Sequence, residues 1–384
     1  MNERERMRIL VSSGAFKQSL TATEVCAAIA GGLEESGLDA TVEQLPIADG
    51  GNGTLDAFLA SGGERIRVPV MDPLMRPIDA DFGLIDAGRT AVIEMALASG
   101  LELLSPAELN PLVATTYGTG QLMAAALARG VERIIIGLGG SATVDGGMGC
   151  LSALGLRLLD ASGNAIPVGG GGLEPLATID KGGIDGRWRD VEIVIASDVE
   201  NPTLGEQGAA RVFGPQKGAD LAMVERLERN LHHCFTLVFE QRGVDVRAVA
   251  GGGAAGAFAA GLLAFLNCKI ESGIDLVLAH NRFREKLADC ALVITGEGQI
   301  DAQTLAGKGP LGVAKLAAAH GVPTIAIVGG LNIDDRLLRE AGVQAAFSIV
   351  DKPMPLADAL ADAEDLTRRA ALRLGYVLQL ARRD

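Results

Sequence analysis

Short apolar, β-branched runs, each broken by a glycine-rich or acidic loop, recur along the chain and set its predicted elements. Arg8–Val11 reads as a first strand and Thr41–Pro46 as a second. Between them Val25, Ile29 and Leu33 repeat at helical spacing over about Ala22–Glu35, with Thr21 and Glu24 placed for a capping box and Gly37 for the stop. Strand, helix, strand makes a βαβ unit, and open parallel sheets of such units bind ligands where the strands end. The texture then changes. Arg65–Val70, Ile78–Ile85 and Thr90–Met95 are three short strand-like runs punctuated by Pro69, Pro73 and Pro77, which predicts a small antiparallel or mixed sheet. Ser105 to Glu108 spells another capping box, a helix is predicted near Gly118–Arg129, and Ile134–Ile136 follows as a strand. Asp160–Asp190 is turn-rich and predicts an exposed excursion, and Val191–Ala196 is a buried strand delivering Asp198. Val224, Leu227, Leu231, Phe235 and Val238 form one stripe of a helix over Ala222–Glu240, and Ala250–Leu266 is a small-residue, glycine-rich helical stretch. Strands return at Ala291–Thr295, Thr324–Val328 and Ala346–Ile349, before a last helix over about Leu356–Ala381.

The first two and the last three strands share one pattern. The fold class predicted is therefore α/β, with a doubly wound parallel-sheet domain split in sequence (residues 1–70 and 281–384) and a second α/β domain (71–280) inserted into it. A chain of 384 residues favours two cores over one, and 48% apolar residues suffice to fill them. Only 3% are aromatic while 51 are glycine, which argues for closely packed layers with tight loops and against a base-stacking surface. A formal net charge of −14 disfavours nucleic acid or an anionic membrane as partner; the expected partners are small molecules, with the oligomeric state left open. Five scattered cysteines with no CxxC pair point to a reducing cytoplasm. The charged N-terminus has no signal-peptide core, and no stretch is apolar enough for a membrane helix.

The chemistry concentrates in the loops. Ile134–Gly149 reads strand, glycine loop (Gly139, Gly140, Ser141), acid (Asp145), second glycine pair, helix, an order that points backbone N–H groups at an anion. Similar loops recur at Asp49–Thr54, Ser197–Pro202 and Thr295–Asp301. Together they supply carboxylates at Asp49, Asp145, Asp198, Glu297 and Asp301, and cations at Lys17, Lys217 and Lys308. Phosphoryl transfer from a nucleotide uses this mixture. Mg²⁺ takes carboxylate and phosphate oxygens, lysines and N–H groups neutralise the transferred group, one acid accepts a proton, and two closing domains exclude water. Each residue also has a plainer reading: Lys17 and Lys217 as solvated charges, Asp198 and Asp301 as turn caps. His232 and His233 sit on a helix at a spacing that makes no metal pair. Gly307-Lys308 lacks P-loop spacing, and no GxGxxG opens a helix after the first strand. The residues alone define an α/β enzyme handling a phosphorylated or anionic small molecule.

Taken together, the motifs resemble the glycerate kinase family of bacterial glycerate, glucarate and glyoxylate breakdown. The matching segments are Phe16-Lys17 with Ser19-Leu20, Ala48–Gly51 with Gly53-Thr54, Ala98–Leu101 and Thr116–Gly120. Gly139–Thr143 with Asp145–Gly147, Asp198-Val199 with Asn201-Pro202, Phe213–Ala219, Ile294–Gly298, and Asp301 with Gly307-Lys308 complete the set. The resemblance implies a cytoplasmic, ATP- and Mg²⁺-dependent kinase for a hydroxyl of D-glycerate, 2-phosphoglycerate being the favoured product, and a Rossmann-like domain carrying an inserted one. On that basis Asp198, with Asp145 second, is expected as base and Lys217 as their catalytic partner. Lys17, Gly139, Gly140, Ser141, Gly296 and Lys308 are expected at the nucleotide, Asp49, Gly50, Gly51 and Thr54 at the acid, and Glu297 and Asp301 at the metal. The chain departs from the family pattern at Gly14-Ala15, where Asp-Ser is common, and at Asn52, Val144 and Gln299, where Glu, Asn and Arg are common. These departures keep open a kinase for a related small hydroxy acid, or a weakened binding or regulatory homologue.

Overall fold

The structure, a computed structural model, describes residues 6–301 and 309–381. The chain divides into two compact units. One comprises the chain up to Asp49, the piece Asp56–Ser61 and the chain from Ile274 onward; the other comprises Gly50–Leu55 and Gly62–Gly273.

The first unit is built on a five-stranded sheet in the order Val343–Ser348, Thr324–Val328, Leu292–Thr295, Met7–Val11, Ala40–Gln44, every neighbouring pair parallel. Both faces are covered, as a doubly wound sheet requires. Ile9, Val11, Ile294 and Ile327 pack with Val25, Ile29 and Leu33 of the helix Ala22–Glu35 and with Leu366 and Leu374 of the helix Ala363–Ala381. On the other side Ala326 and Val328 meet Leu311 and Ala314 of the helix Pro310–Ala319 and Leu338 of Asp335–Glu340. Thr21 and Glu24 form the expected reciprocal capping box. The two long helices touch because position 32 is glycine: a Cβ there would run into the carbonyl oxygen of Arg368. The closing helix is two helices, Leu356–Ala361 and Ala363–Ala381, parted at Asp362.

The second unit carries a six-stranded sheet in the order Cys268–Glu271, Glu192–Ala196, Arg133–Gly137, Thr90–Glu94, Pro77–Ile85, Glu64–Met71. The first four strands run parallel and the last two pair antiparallel, which is the mixed sheet the proline-punctuated runs predict. Ile134, Ile136, Ile193 and Ile195 face the helix Tyr117–Ala128 through Leu122, Met123 and Ala126. A second core forms beneath the helix Leu221–Arg242, whose stripe Leu227, Leu231, Phe235 and Val238 is fully buried. Two local expectations are corrected. The excursion after Asp160 is anchored: Leu173, Leu176 and Trp188 are buried, and the carbonyl of Gly170 accepts from the Asn230 amide at 2.9 Å. Its glycines let the backbone lie against Leu112 and Pro167, where Cβ atoms would clash. The Ser105 capping box closes only one 3₁₀ turn, Pro106–Glu108, because Leu109 extends at ψ 108° and Pro111 disfavours helix at Asn110. Among the described residues no helix is long and apolar enough to cross a membrane.

Candidate functional site

In the second unit the loop after Arg133–Gly137 is assembled by backbone contact. Gly139 donates to the Gly50 carbonyl at 2.8 Å, and a Cβ on Gly139 would strike Gly51. Leu101 donates to Gly140 and Ala142 to Ser99, at 2.8 and 2.9 Å, so Ser99-Gly100-Leu101 lines the loop as a bridge partner. Gly50 sits at φ 94°, pressed on the carbonyl of Ala196. The Gly50–Thr54 segment, the glycine loop and the end of Glu192–Ala196 thus share one edge of this sheet. Thr54 is buried and its hydroxyl donates to the Gly51 carbonyl at 2.6 Å; Asp49 is exposed.

Lys217 is the most unusual side chain here. It is 1% exposed, and its Nζ donates to Ser141 Oγ at 2.8 Å and to the Thr143 carbonyl at 2.7 Å. Burial pulls its pKa down to about 7, against the raising effect of the Asp145 carboxylate. The 3₁₀ turn Pro215–Lys217 and Gly218 at φ 91° deliver it, the latter packed on the Leu109 carbonyl. Because an N–H occupies a lone pair of Ser141 Oγ, the serine O–H is left to donate elsewhere.

Asp145 is also buried, at 1%. Its Oδ2 accepts from Thr116 N at 2.8 Å, Thr116 Oγ1 at 2.9 Å, Thr115 Oγ1 at 3.2 Å and Gly149 N at 3.3 Å, and its Oδ1 from Gly147 N at 3.0 Å. Burial pushes its pKa up, opposed by these donors. With both oxygens engaged, Asp145 clamps the Thr115–Thr116 turn to the loop, the turn-bonding role that competes with proton acceptance. Asp198 is only half-buried at the end of Glu192–Ala196. Sequence reasoning missed Glu94. It is 5% exposed and accepts from Gly53 N at 3.1 Å and Leu55 N at 3.2 Å, holding the Asp49–Thr54 loop. Its signal was available: an acid closing a β-branched run.

In the first unit, the loops after Met7–Val11, Leu292–Thr295 and Thr324–Val328 also converge. Gly14 N donates to Gly296 O at 2.9 Å and Gly329 N to Glu297 O at 3.2 Å, while a Cβ on Gly296 would strike the Ile327 carbonyl. Lys17 is exposed, and Glu297 and Asp301 are half-buried on one short loop. Lys308 lies outside the described residues. Among the described residues no three His, Cys, Asp or Glu side chains group as a metal site. Two carboxylates on one loop fit the donor type and number Mg²⁺ takes from protein when phosphates complete its shell.

The departures from the family pattern have structural counterparts. Val144 is fully buried in the core with Leu227 and Leu231. Asn52 donates to Glu102 Oε1 at 3.0 Å, where a carboxylate would meet like charge. A Cβ at Gly14 would sit 3.5 Å from the Gly296 carbonyl, so glycine is not sterically required there.

Two α/β units, each presenting glycine and carboxylate loops at the carboxyl edge of parallel strands, have the architecture in which open parallel sheets bind ligands. The sequence pattern of the glycerate kinase family matches residues 9–379. Glycerate kinase of Bacillus subtilis (strain 168) is 45% identical over 377 residues, covering 98% of this chain and 99% of the relative. Glycerate 2-kinase of Escherichia coli (strain K12) is 44% identical over 380 residues, covering 98% and 100%. A crystal structure of a Salmonella typhimurium LT2 protein, provisionally named glycerate kinase 2, superposes with a TM-score of 0.86 at 44% identity, covering 99% of this chain and 100% of that one. The chain belongs to the glycerate kinase family.

Proposed function

We propose that the protein transfers the γ-phosphate of ATP to the 2-hydroxyl of D-glycerate, giving 2-phosphoglycerate. The observation that carries this reading is the full-length likeness to the E. coli relative named glycerate 2-kinase. Asp198, half-buried just past the end of the strand Glu192–Ala196, accepts the proton of the attacking hydroxyl. The Ser141 O–H, oriented by Lys217, and the N–H groups of the glycine loop favour negative charge on the transferred group. We assign Asp49, Gly50, Gly51 and Thr54 to the acid, and Lys17, Gly296 and Lys308 to the nucleotide, with Glu297 and Asp301 as the residues that would hold Mg²⁺. The metal, when bound, neutralises phosphate charge and raises the electrophilicity of phosphorus.

Product identification tests the reading. ¹³C-labelled D-glycerate, ATP and Mg²⁺ incubated with the protein should give a ³¹P–¹³C coupling pattern that places phosphate on C2. Phosphate on C3 would overturn the regiochemistry. Turnover of another hydroxy acid with none of glycerate would overturn the acceptor.

A further inference from the structure

The glycine-rich segment before the helix that ends at Phe265 does more than begin that helix. Ala255, Gly256 and Ala257 lie consecutively in the left-handed region, at φ 52°, 69° and 66°. Two of the three carry a Cβ, so this backbone is strained and must be held by its surroundings. The surroundings are the two loops of the second unit's site. The Gly256 carbonyl accepts from Gly146 N at 3.0 Å, and a Cβ on Gly256 would run into the Thr143 carbonyl oxygen and come within 2.6 Å of Val144 Cα. Four residues earlier the segment grips the Asp198 loop. Gly251 N donates to Glu200 O at 3.1 Å and Gly253 N to Asn201 O at 3.0 Å, with Gly253 packed on the Pro202 carbonyl. The oxygen that Gly256 abuts is the one that accepts the Lys217 ammonium.

We propose that the left-handed turn Ala255–Gly256–Ala257 is a positioning element: it sets the Thr143 carbonyl against Lys217 and ties that contact to the loop bearing Asp198. The proposal rests on the kinase reading only for its catalytic consequence, since the contact itself is readable without substrate. Gly256 is the key residue because contact with Thr143 excludes any side chain there, and its positive φ is secondary.

The test is the titration of Lys217 by NMR of lysine-labelled protein, in wild type, Gly256→Ala, Gly256→Asn and Gly32→Ala. Asparagine tolerates positive φ better than alanine, so Gly256→Asn meets the same carbonyl at less backbone strain. Gly32→Ala introduces a backbone clash in the other unit and controls for general destabilisation. Asp145 is the charged group that acts on Lys217 and is present in all four. Moving the Thr143 acceptor away disfavours the ammonium, so both Gly256 variants should lower the Lys217 pKa by about half a unit or more, with Gly32→Ala unchanged. Turnover of glycerate should fall about tenfold or more in the Gly256 variants, and stay at wild-type level per folded molecule in Gly32→Ala. A Lys217 titration in folded Gly256→Asn that matches wild type would overturn the proposal. The expected Lys217 shift in the Gly256 variants, with wild-type protein that does not phosphorylate glycerate, would instead refute the kinase reading.

Discussion

The two units carry their cations in opposite ways. Lys217 is sealed inside the second unit, with its ammonium bonded to Ser141 and Thr143 and its carboxylate neighbour Asp145 saturated by threonine and glycine donors. Lys17, in the loop after the first strand of the other unit, is exposed, and Glu297 and Asp301 near it in that unit are half in solvent. The first arrangement is organised before any ligand arrives and carries a desolvation cost for doing so. The second keeps its lysine at the surface and its two acids only half-buried. On the proposed function, the difference predicts that the first region sets the rate and the second sets affinity.

The largest effect expected from this contrast is in Lys217→Met. It keeps the length of the side chain, removes the ammonium and frees Ser141 from its donor. Turnover should fall about 10³-fold, on the scale of losing a preorganised donor at a developing negative charge, with the protein still folded. Steady-state kinetics and thermal unfolding of the same preparation check it. A Lys217→Met protein with wild-type kcat would erase the contrast.

A second effect sharpens it. Lys217 holds fewer protons folded than unfolded between pH about 7 and its ordinary value of 10.5, so stability rises with pH across that window. The penalty of the buried ammonium is fully present below pH 7 and is relieved as pH climbs. Stability of wild type relative to Lys217→Met should therefore increase by up to about 1.4 kcal/mol per pH unit, read by denaturant unfolding from pH 6 to 9. A flat difference would mean Lys217 is not desolvated as the structure shows.

The smallest effect belongs to the exposed cation. Lys17→Ala should raise the KM for ATP about tenfold, leaving melting temperature unchanged and kcat little affected. A large loss of kcat with unchanged KM would place Lys17 with the rate-setting groups instead.

Much of this organisation was legible in the sequence. Periodicity located the split parallel sheet, the mixed sheet after Arg65 and the stripe of Leu221–Arg242, because burial on one face leaves a period in the residues themselves. The candidate loop residues are legible as acids and glycines closing apolar runs. What was hidden depends on contacts distant in sequence. Nothing near Lys217 announces that its partners are Ser141 and Thr143. Nothing near Asp145 announces Thr115 and Thr116, which turn a candidate base into a clamp. Glu94 was passed over as the end of a strand, although it holds the Asp49–Thr54 loop. The anchoring of the Asp160–Asp190 excursion was hidden for a related reason: its glycines mark close backbone approach as readily as exposed turns, and only the fold shows which.

The most direct measurement sets Asp198→Asn beside Asp145→Asn, recording kcat for D-glycerate phosphorylation and melting temperature for each. Asp198→Asn should lose about 10²–10⁴-fold in kcat and keep its melting temperature. Asp145→Asn puts an amide donor among donors, so it should lose about 3 kcal/mol of stability, with its kcat at low temperature falling less than that of Asp198→Asn. The opposite result, in which Asp145→Asn is stable and inactive while Asp198→Asn turns over normally, would contradict the division of labour drawn here.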